Sequence, residues 1–324
     1  MENVQSPQEL NALSKRHSSH HFFVAPILLS HASVMSSGYQ SRGETPPPTN
    51  GNEGRSFYKS LMDGSVEVGT LFGVPICIHN LFPLFIVVTT IIGFIPPAST
   101  ESGLLNFVVL GPILFTTVLI HEGGHCWATK LVGGDVHKIL LWPLGGLAYV
   151  GHSGDAADDL KVSIAGPLTH IPQCLFWVIA LAMGAGSVNL TYTGDFATDM
   201  CRAAVIMNIQ LALFNLFVPA FPLDGGRIFA DSMLLCGVPA VRAAGIMVGT
   251  STAFGIAIVA LGFYFGQFIT IFVGGWVLTQ AVDLGKLVKS GMVHEHPLFA
   301  KYANVGDGER GGIAGALGGS SGRV

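Results

Sequence analysis

Long apolar segments recur along this chain, and no other feature constrains its fold as strongly. A helix needs about 20 predominantly apolar residues to cross the hydrocarbon core of a bilayer. Only 11% of the residues are charged, whereas soluble domains carry roughly 25%, so most of the surface cannot face water. We therefore predict an all-α polytopic membrane protein with six transmembrane helices, at residues 74–95, 104–131, 160–183, 203–219, 243–264 and 268–284.

The segment between the second and third predicted spans has a different character. Residues 139–149 are apolar, but Pro143 and the pair Gly145 and Gly146 interrupt them. Proline and adjacent glycines favour a tight turn over a continuous helix. We predict a membrane-embedded β-hairpin or re-entrant loop here, because non-helical backbone is tolerated at membrane depth where protein surrounds it.

Composition divides the chain into three parts. Residues 1–64 are polar and serine-rich, with no acidic residue between positions 10 and 42, which predicts a disordered N-terminal tail that could also serve in targeting. Residues 65–290 hold the predicted transmembrane core. Residues 291–324 become polar and then glycine-rich, which predicts a flexible C-terminal tail.

Basic residues near the predicted span ends gather on one side of the membrane. With six spans, Arg202 alone falls on the opposite side. Cytosolic loops are enriched in lysine and arginine, so both termini are expected on the cytosolic side or its equivalent in an organelle. The residues on the basic side are Arg55, Lys59, Lys130, Lys138, Lys161, Arg227, Arg242, Lys286 and Lys289.

One of the apolar segments ends in a pattern typical of metal sites. His121, Glu122 and His125 form H-E-x-x-H directly after the apolar run 108–120. On a helix, positions i and i+4 share one face, so both imidazoles can bind one metal ion beside a glutamate that acts as general base. Ionisable side chains at membrane depth are costly and usually functional. The alternative is a polar helix end at the membrane surface.

A catalytic zinc site needs a third protein ligand. Asp224 is the expected one, because it interrupts apolar sequence a second time. Pro219 and Pro222 end the preceding helix, and Gly225 and Gly226 permit tight backbone turns near the carboxylate. The alternative is that Asp224 caps the N-terminus of the next helix.

A third interruption lies in the third predicted span. His170 follows Ala165, Gly166 and Pro167, residues that favour close helix packing and a kink. A histidine inside the bundle could donate a hydrogen bond to a reacting carbonyl oxygen. A hydrogen-bonded structural histidine fits the same position equally well.

Together these segments resemble the site-2 protease family of intramembrane zinc metalloproteases. The family has H-E-x-x-H in one span, then an Ala-Gly-Pro segment, then a Pro-Leu-Asp-Gly-Gly-Arg segment, and this chain has them in that order at residues 121–125, 165–167 and 222–227. The resemblance covers roughly residues 65 to 288 and is to the small core type without PDZ or CBS domains. At the position of His170 the family usually has asparagine.

The resemblance implies a function and a set of roles. Zn²⁺ would be bound by His121, His125 and Asp224, with Glu122 and His170 as catalytic residues. The chain would be a zinc metalloendopeptidase that hydrolyses peptide bonds within or next to the transmembrane segments of membrane-protein substrates in the lipid bilayer.

Three alternative functions stay open from the residues alone. A catalytically inactive membrane scaffold would share the fold, and a metal transporter would also place its site at discontinuous helices. A lipid oxidase would need more clustered histidines than the core motif supplies. A net charge of −4 and few basic residues argue against nucleic-acid binding. The five cysteines form no C-x-x-C pair and are expected as small buried apolar residues.

Overall fold

The computed structural model describes residues 64–95, 99–143, 145–151, 154–186, 188–191 and 193–303. Apart from residue 64, the predicted N-terminal tail lies outside these ranges, as does the chain after residue 303. The described ranges contain four strands, namely β1 (Ser65–Leu71), β2 (Val74–His79), β3 (Asp135–Trp142) and β4 (Gly145–Gly151).

The helices of the described chain follow in sequence order. A π-helical turn at Val109–Ile113 joins α2 to α3, and a 3₁₀ turn lies at Val293–Glu295. The helices are α1 (Leu81–Phe94), α2 (Thr100–Val108), α3 (Leu114–Leu131), α4 (Ala156–Leu168), α5 (His170–Ala185), α6 (Phe196–Phe217), α7 (Asp224–Leu235), α8 (Ala240–Tyr264), α9 (Phe268–Ser290) and α10 (Ala300–Ala303).

The strands form one sheet in the order β1-β2-β3-β4. The pairs β1–β2 and β3–β4 are antiparallel, and β2 runs parallel to β3. The segment for which a hairpin was predicted contains the antiparallel pair β3 and β4. The prediction of an all-α fold is wrong for β1 and β2, because the apolar run 74–79, predicted as part of the first span, pairs with β3 as a strand.

Within the described residues, five helical segments are long and apolar enough to cross a membrane. They overlap the second to sixth predicted spans, with ends that differ by up to seven residues. The first predicted span is represented by the shorter apolar helix α1, of 14 residues. The five segments are Thr100–Leu131, Ala156–Gly184, Phe196–Phe217, Ala240–Tyr264 and Phe268–Ser290.

Polar caps and glycines determine where several helices begin and end. The Asp155 carboxylate accepts hydrogen bonds from the backbone N–H groups of Ala157 and Asp158 at the start of α4. The Asp195 carboxylate accepts one from Thr198 N–H at the start of α6. These bonds satisfy backbone donors that have no partner within the helix. At the end of α9, Gly291 adopts φ 74°, a left-handed conformation that glycine reaches at little cost.

The largest buried cluster lies where α3 meets the sheet and α6. Its members include Leu114 and Val118 of α3, Ile139 of β3 and Leu211 of α6. By contrast, large apolar side chains such as Ile171 and Phe263 are 64% and 69% exposed on the outer helices. Because a soluble protein rarely exposes so many large apolar groups in contiguous patches, this surface is suited to lipid contact.

The folded core extends past residue 290, where the sequence predicted a flexible tail to begin. Val293 and Phe299 are only 1% and 0% exposed. Lys301 Nζ lies 3.0 Å from Asp159 Oδ1, and the Tyr302 hydroxyl donates to the same carboxylate. The predicted boundary is therefore wrong for residues 292–303, which we call the C-terminal segment.

Candidate metal centre

Helix α3 carries the H-E-x-x-H residues into the interior of the described bundle. His121, Glu122 and His125 are all 0% exposed. The helix lies at this depth because Leu114 and Val118, one and two turns earlier, belong to the main apolar cluster. The two histidines project from one face, as their spacing predicted. Their complete burial argues against the alternative of a polar helix end, which would expose these side chains.

Asp224 lies at the same site, although it comes from a segment about 100 residues later in the sequence. It is the first residue of α7, with Leu223 in the capping position. The segment before it is anchored where the Phe221 N–H donates to Ser251 Oγ at 2.9 Å. Because the helix starts at Asp224 itself and its carboxylate faces α3, the alternative of an N-cap for a helix starting near Arg227 is wrong.

The C-terminal segment covers the chain that leads to Asp224. The His296 ring packs edge-on against Phe221, with centroids 4.8 Å apart. Burial lowers the pKa of His296 to about 4, so this imidazole is neutral at physiological pH. The uncharged His296 ring thus covers the backbone segment that leads to Asp224.

Three possible ligand atoms converge. His121 Nε2 lies 3.1 Å from His125 Nε2 and 3.1 Å from Asp224 Oδ2, and His125 Nε2 lies 3.4 Å from Asp224 Oδ1. One ligand atom from each residue lies within 4.8 Å of the others. The structure therefore brings the three predicted metal ligands together.

These distances suit a tetrahedral metal ion. Ligand atoms bound about 2.0–2.1 Å from a tetrahedral zinc are roughly 3.3 Å from one another, close to the 3.1–3.4 Å seen here. The chemistry fits as well. His125 Nδ1 lies 2.7 Å from the Val162 carbonyl oxygen, which can only accept, so Nδ1 carries the hydrogen and a neutral ring presents a lone pair at Nε2. Lone pairs that face a carboxylate at this distance suit a cation bound between them.

Glu122 sits between the ligands and the sheet. Its Oε2 accepts a hydrogen bond of 3.0 Å from the backbone N–H of Ala148 in β4. The two elements approach so closely that a Cβ atom on Gly146 would lie 2.3 Å from Glu122 Cγ. The hairpin therefore fixes the carboxylate that the sequence marked as a general base.

The Ala-Gly-Pro segment of α4 packs directly on the histidine pair. A Cβ atom on Gly166 would lie 2.2 Å from His125 Nε2 and 2.8 Å from His121 Nε2. Real Cβ atoms do not come within 3.0 Å of other heavy atoms. Glycine is therefore required at this position for the imidazoles to hold their arrangement.

His170 lies behind His121 rather than beside Glu122 in the contacts observed. Its Nε2 is 3.1 Å from His121 Nδ1, and its Nδ1 is 3.0 Å from Asn208 Oδ1. The donation to a reacting carbonyl stays a prediction. The sequence reasoning did not single out Asn208, although an amide within the apolar span of α6 was a visible signal.

Comparisons with known proteins agree with this arrangement. A zinc metalloprotease from Methanocaldococcus jannaschii is 35% identical over 170 residues, which is 52% of this chain and 45% of that protein. A protein from Synechocystis sp., provisionally described as a zinc metalloprotease, is 27% identical over 250 residues, which is 72% of this chain and 62% of that protein. The matches thus span less than two thirds of either relative. No family model matches the chain.

One solved structure is similar in fold as well as in sequence. It is the site-2 protease from Methanocaldococcus jannaschii, with a TM-score of 0.50 and 25% sequence identity. The similarity covers 68% of this chain and 94% of that one. The fold is therefore that of a mostly helical, multi-pass membrane protein with a small sheet.

Proposed function

Because this chain belongs to the site-2 protease family, we propose that it is a zinc metalloendopeptidase that cuts peptide bonds within or next to transmembrane segments of membrane proteins. A single observation carries the proposal. Two imidazoles and a carboxylate converge at full burial, with a glutamate beside them, among helices apolar enough to span a bilayer.

The ligand roles follow from the geometry. His121 and His125 would bind Zn²⁺ through Nε2, and Asp224 would bind it through its carboxylate, which leaves a fourth position for water. Zinc bound there would lower the pKa of that water and polarise the scissile carbonyl. The complete burial of all three ligands excludes bulk water and so strengthens these electrostatic effects.

Glu122 is assigned the proton transfers. It would take a proton from the attacking water and return it to the leaving amine. The hydrogen bond from Ala148 N–H to Oε2 holds the carboxylate in place for these transfers. His170 is assigned only through its contact with His121, a role developed in the next subsection.

The sheet suggests how a substrate would be presented. β4 is an edge strand in the described sheet, and its Ala148 N–H faces Glu122 rather than β3. An extended peptide added alongside β4 would bring its backbone next to Glu122, as in other β-strand additions. A helical substrate would first have to unwind, so we expect substrates with Gly, Pro or Asn in the spanning helix.

We extend the proposal to the membrane arrangement. It has six spans, α1 being the short one, with the hairpin embedded in the bilayer and both termini on the cytosolic side or its equivalent. The 14 residues of α1 cover about 21 Å at 1.5 Å per residue, less than a full hydrocarbon core of about 30 Å. Local thinning of the bilayer at α1 would accommodate this length.

Substitution of Glu122 tests the function directly. The full chain is reconstituted in liposomes with a single-span substrate whose helix contains Gly and Pro, and the products are identified by mass spectrometry. Glu122→Gln keeps the acceptor for Ala148 N–H but cannot take a proton, so we expect cleavage to fall at least about 100-fold while one zinc per chain stays bound.

The matched control is Glu295→Gln, the same substitution at an exposed position in the 3₁₀ turn. It should cleave at the wild-type rate. Cleavage by Glu122→Gln at that same rate would contradict the proposal. A wild-type protein that cuts nothing but carries zinc across the liposome membrane would favour the transporter instead.

A further inference from the structure

Three buried polar side chains from three helices form a row that leads to the candidate metal centre. His121 of α3, His170 of α5 and Asn208 of α6 are 0%, 1% and 0% exposed. The row is connected by His121 Nδ1 to His170 Nε2 at 3.1 Å, and by His170 Nδ1 to Asn208 Oδ1 at 3.0 Å. Buried polar atoms need partners, so each hydrogen in this row has a definite direction.

The Asn208 amide sets that direction. Its Nδ2 donates to the Ala204 carbonyl oxygen at 2.9 Å, one helical turn earlier. The amide oxygen is thereby turned toward His170, and an amide oxygen can only accept. His170 must therefore carry a hydrogen on Nδ1 and donate it to Asn208.

The tautomer of His170 determines which tautomer His121 can adopt. A metal ion on His121 Nε2 requires the lone pair of that nitrogen, so the hydrogen of His121 must be on Nδ1. That hydrogen points at His170 Nε2, which can accept it only if His170 keeps its own hydrogen on Nδ1. Asn208 selects that tautomer.

We propose that Asn208 is a positioning residue for the metal centre, acting through His170 to orient His121 and fix its ligating tautomer. The proposal deepens the proposed function and rests on it, since it requires the three ligands to bind an ion. His125 is oriented by the Val162 carbonyl oxygen instead. The two histidines are thus supported differently, one by backbone and one by a pair of side chains.

A histidine at position 170 suits this role. His170 is long enough to contact both His121 and Asn208, whereas a shorter amide would have to choose between them. Residues that hydrogen-bond the far nitrogen of a ligating histidine raise its basicity and fix its ring. His170 then acts as an orienting group for His121.

The test measures metal binding rather than cleavage. Full-length variants in detergent are titrated with Zn²⁺ against a competing chelator and with Co²⁺, whose visible absorption reports ligand geometry. Asn208→Leu removes the acceptor and keeps a side chain branched at Cγ. Asn208→Asp keeps an acceptor facing His170 Nδ1. The matched control is Asn106→Leu, because Asn106 donates to the Thr89 carbonyl oxygen in the α2–α1 contact and touches none of the row.

We expect Asn208→Leu to weaken Zn²⁺ binding about tenfold and His170→Ala by roughly 10- to 100-fold, the range for groups that orient metal ligands. The Co²⁺ spectrum should change with both. Asn208→Asp should stay within about threefold of wild type, and Asn106→Leu should be unchanged. If Asn208→Leu does not fold, Asn208→Ala serves in its place.

Two results would overturn the proposal. One is wild-type affinity and spectrum in Asn208→Leu. The other is an equal loss in Asn208→Leu and Asn208→Asp, which would mean that Asn208 only holds the helices together. The proposed function is judged separately by cleavage. If the wild type and the variants bind zinc with the expected order of affinities but the wild type cuts nothing, the protease function is refuted and the role of Asn208 stands. A wild-type protein that binds neither ion refutes both.

Discussion

At the scale of single residues, Gly166 has the least freedom to change. Its α-carbon faces the nitrogen atoms of both ligating histidines, and a methyl group there would lie 2.2 Å from His125 Nε2. No rotation of a flexible side chain can relieve that contact, because the atom belongs to a ring held by the Val162 carbonyl oxygen. Either α4 moves away from α3 or the imidazole turns.

Gly166→Ala should therefore damage the metal centre. We expect Zn²⁺ affinity to fall at least about tenfold, as when the support of a ligand is removed. Gly123→Ala is the matched control, because a Cβ atom there meets nothing within 4 Å although it lies inside the H-E-x-x-H motif. Chelator competition measures both. Equal affinities in the two variants would show that α4 does not constrain the histidines.

The proposed ligands could be singled out from the sequence, whereas Asn208 could not. Ionisable side chains are energetically costly in a membrane and therefore stand out within apolar sequence. This applies to His121, His125 and Asp224. Asn208 is an ordinary residue for helix packing. Its role depends on the contact with His170 on a neighbouring helix. Such a tertiary contact cannot be read from the spacing of residues along the chain.

At the scale of elements, helix length was easier to predict than strand pairing. The five longer apolar segments could be found because bilayer thickness fixes their length. The run 74–79 could not be separated from α1, because a short apolar run has the same composition in a strand and in a buried helix. The run forms a strand because it pairs with β3, as in Ile76 opposite Ile139. This pairing joins residues that are far apart in sequence.

The C-terminal segment is an element whose contribution can be measured. Phe299 is 0% exposed and packs with α8 and α9 residues such as Met247 and Leu284. Phe299→Ala should cost about 3–5 kcal/mol and lower the thermal unfolding midpoint in detergent. Phe263→Ala, at a position 69% exposed, should have little effect. Equal midpoints would mean that the segment does not stabilise the core.

At the scale of the whole molecule, the fold places a polar cluster inside apolar helices. The proposed ligands come from two helices that are distant in sequence, Glu122 is held by an edge strand of the described sheet, and apolar helices surround them. Composition predicted the membrane class, and the motif order predicted the site. The sheet that holds Glu122 needed the structure, because only its hairpin carried a local turn signal.

The most direct test of the account is zinc K-edge X-ray absorption on the purified full chain in detergent. The account predicts one zinc per chain with nitrogen and oxygen ligands at about 2.0–2.2 Å and no sulfur near about 2.3 Å, although Cys126 is buried one residue beyond His125. Asp224→Ala should lower the zinc content, and the spectrum of any zinc that remains should change. A sulfur ligand, or a spectrum and zinc content that Asp224→Ala leaves unchanged, would contradict it.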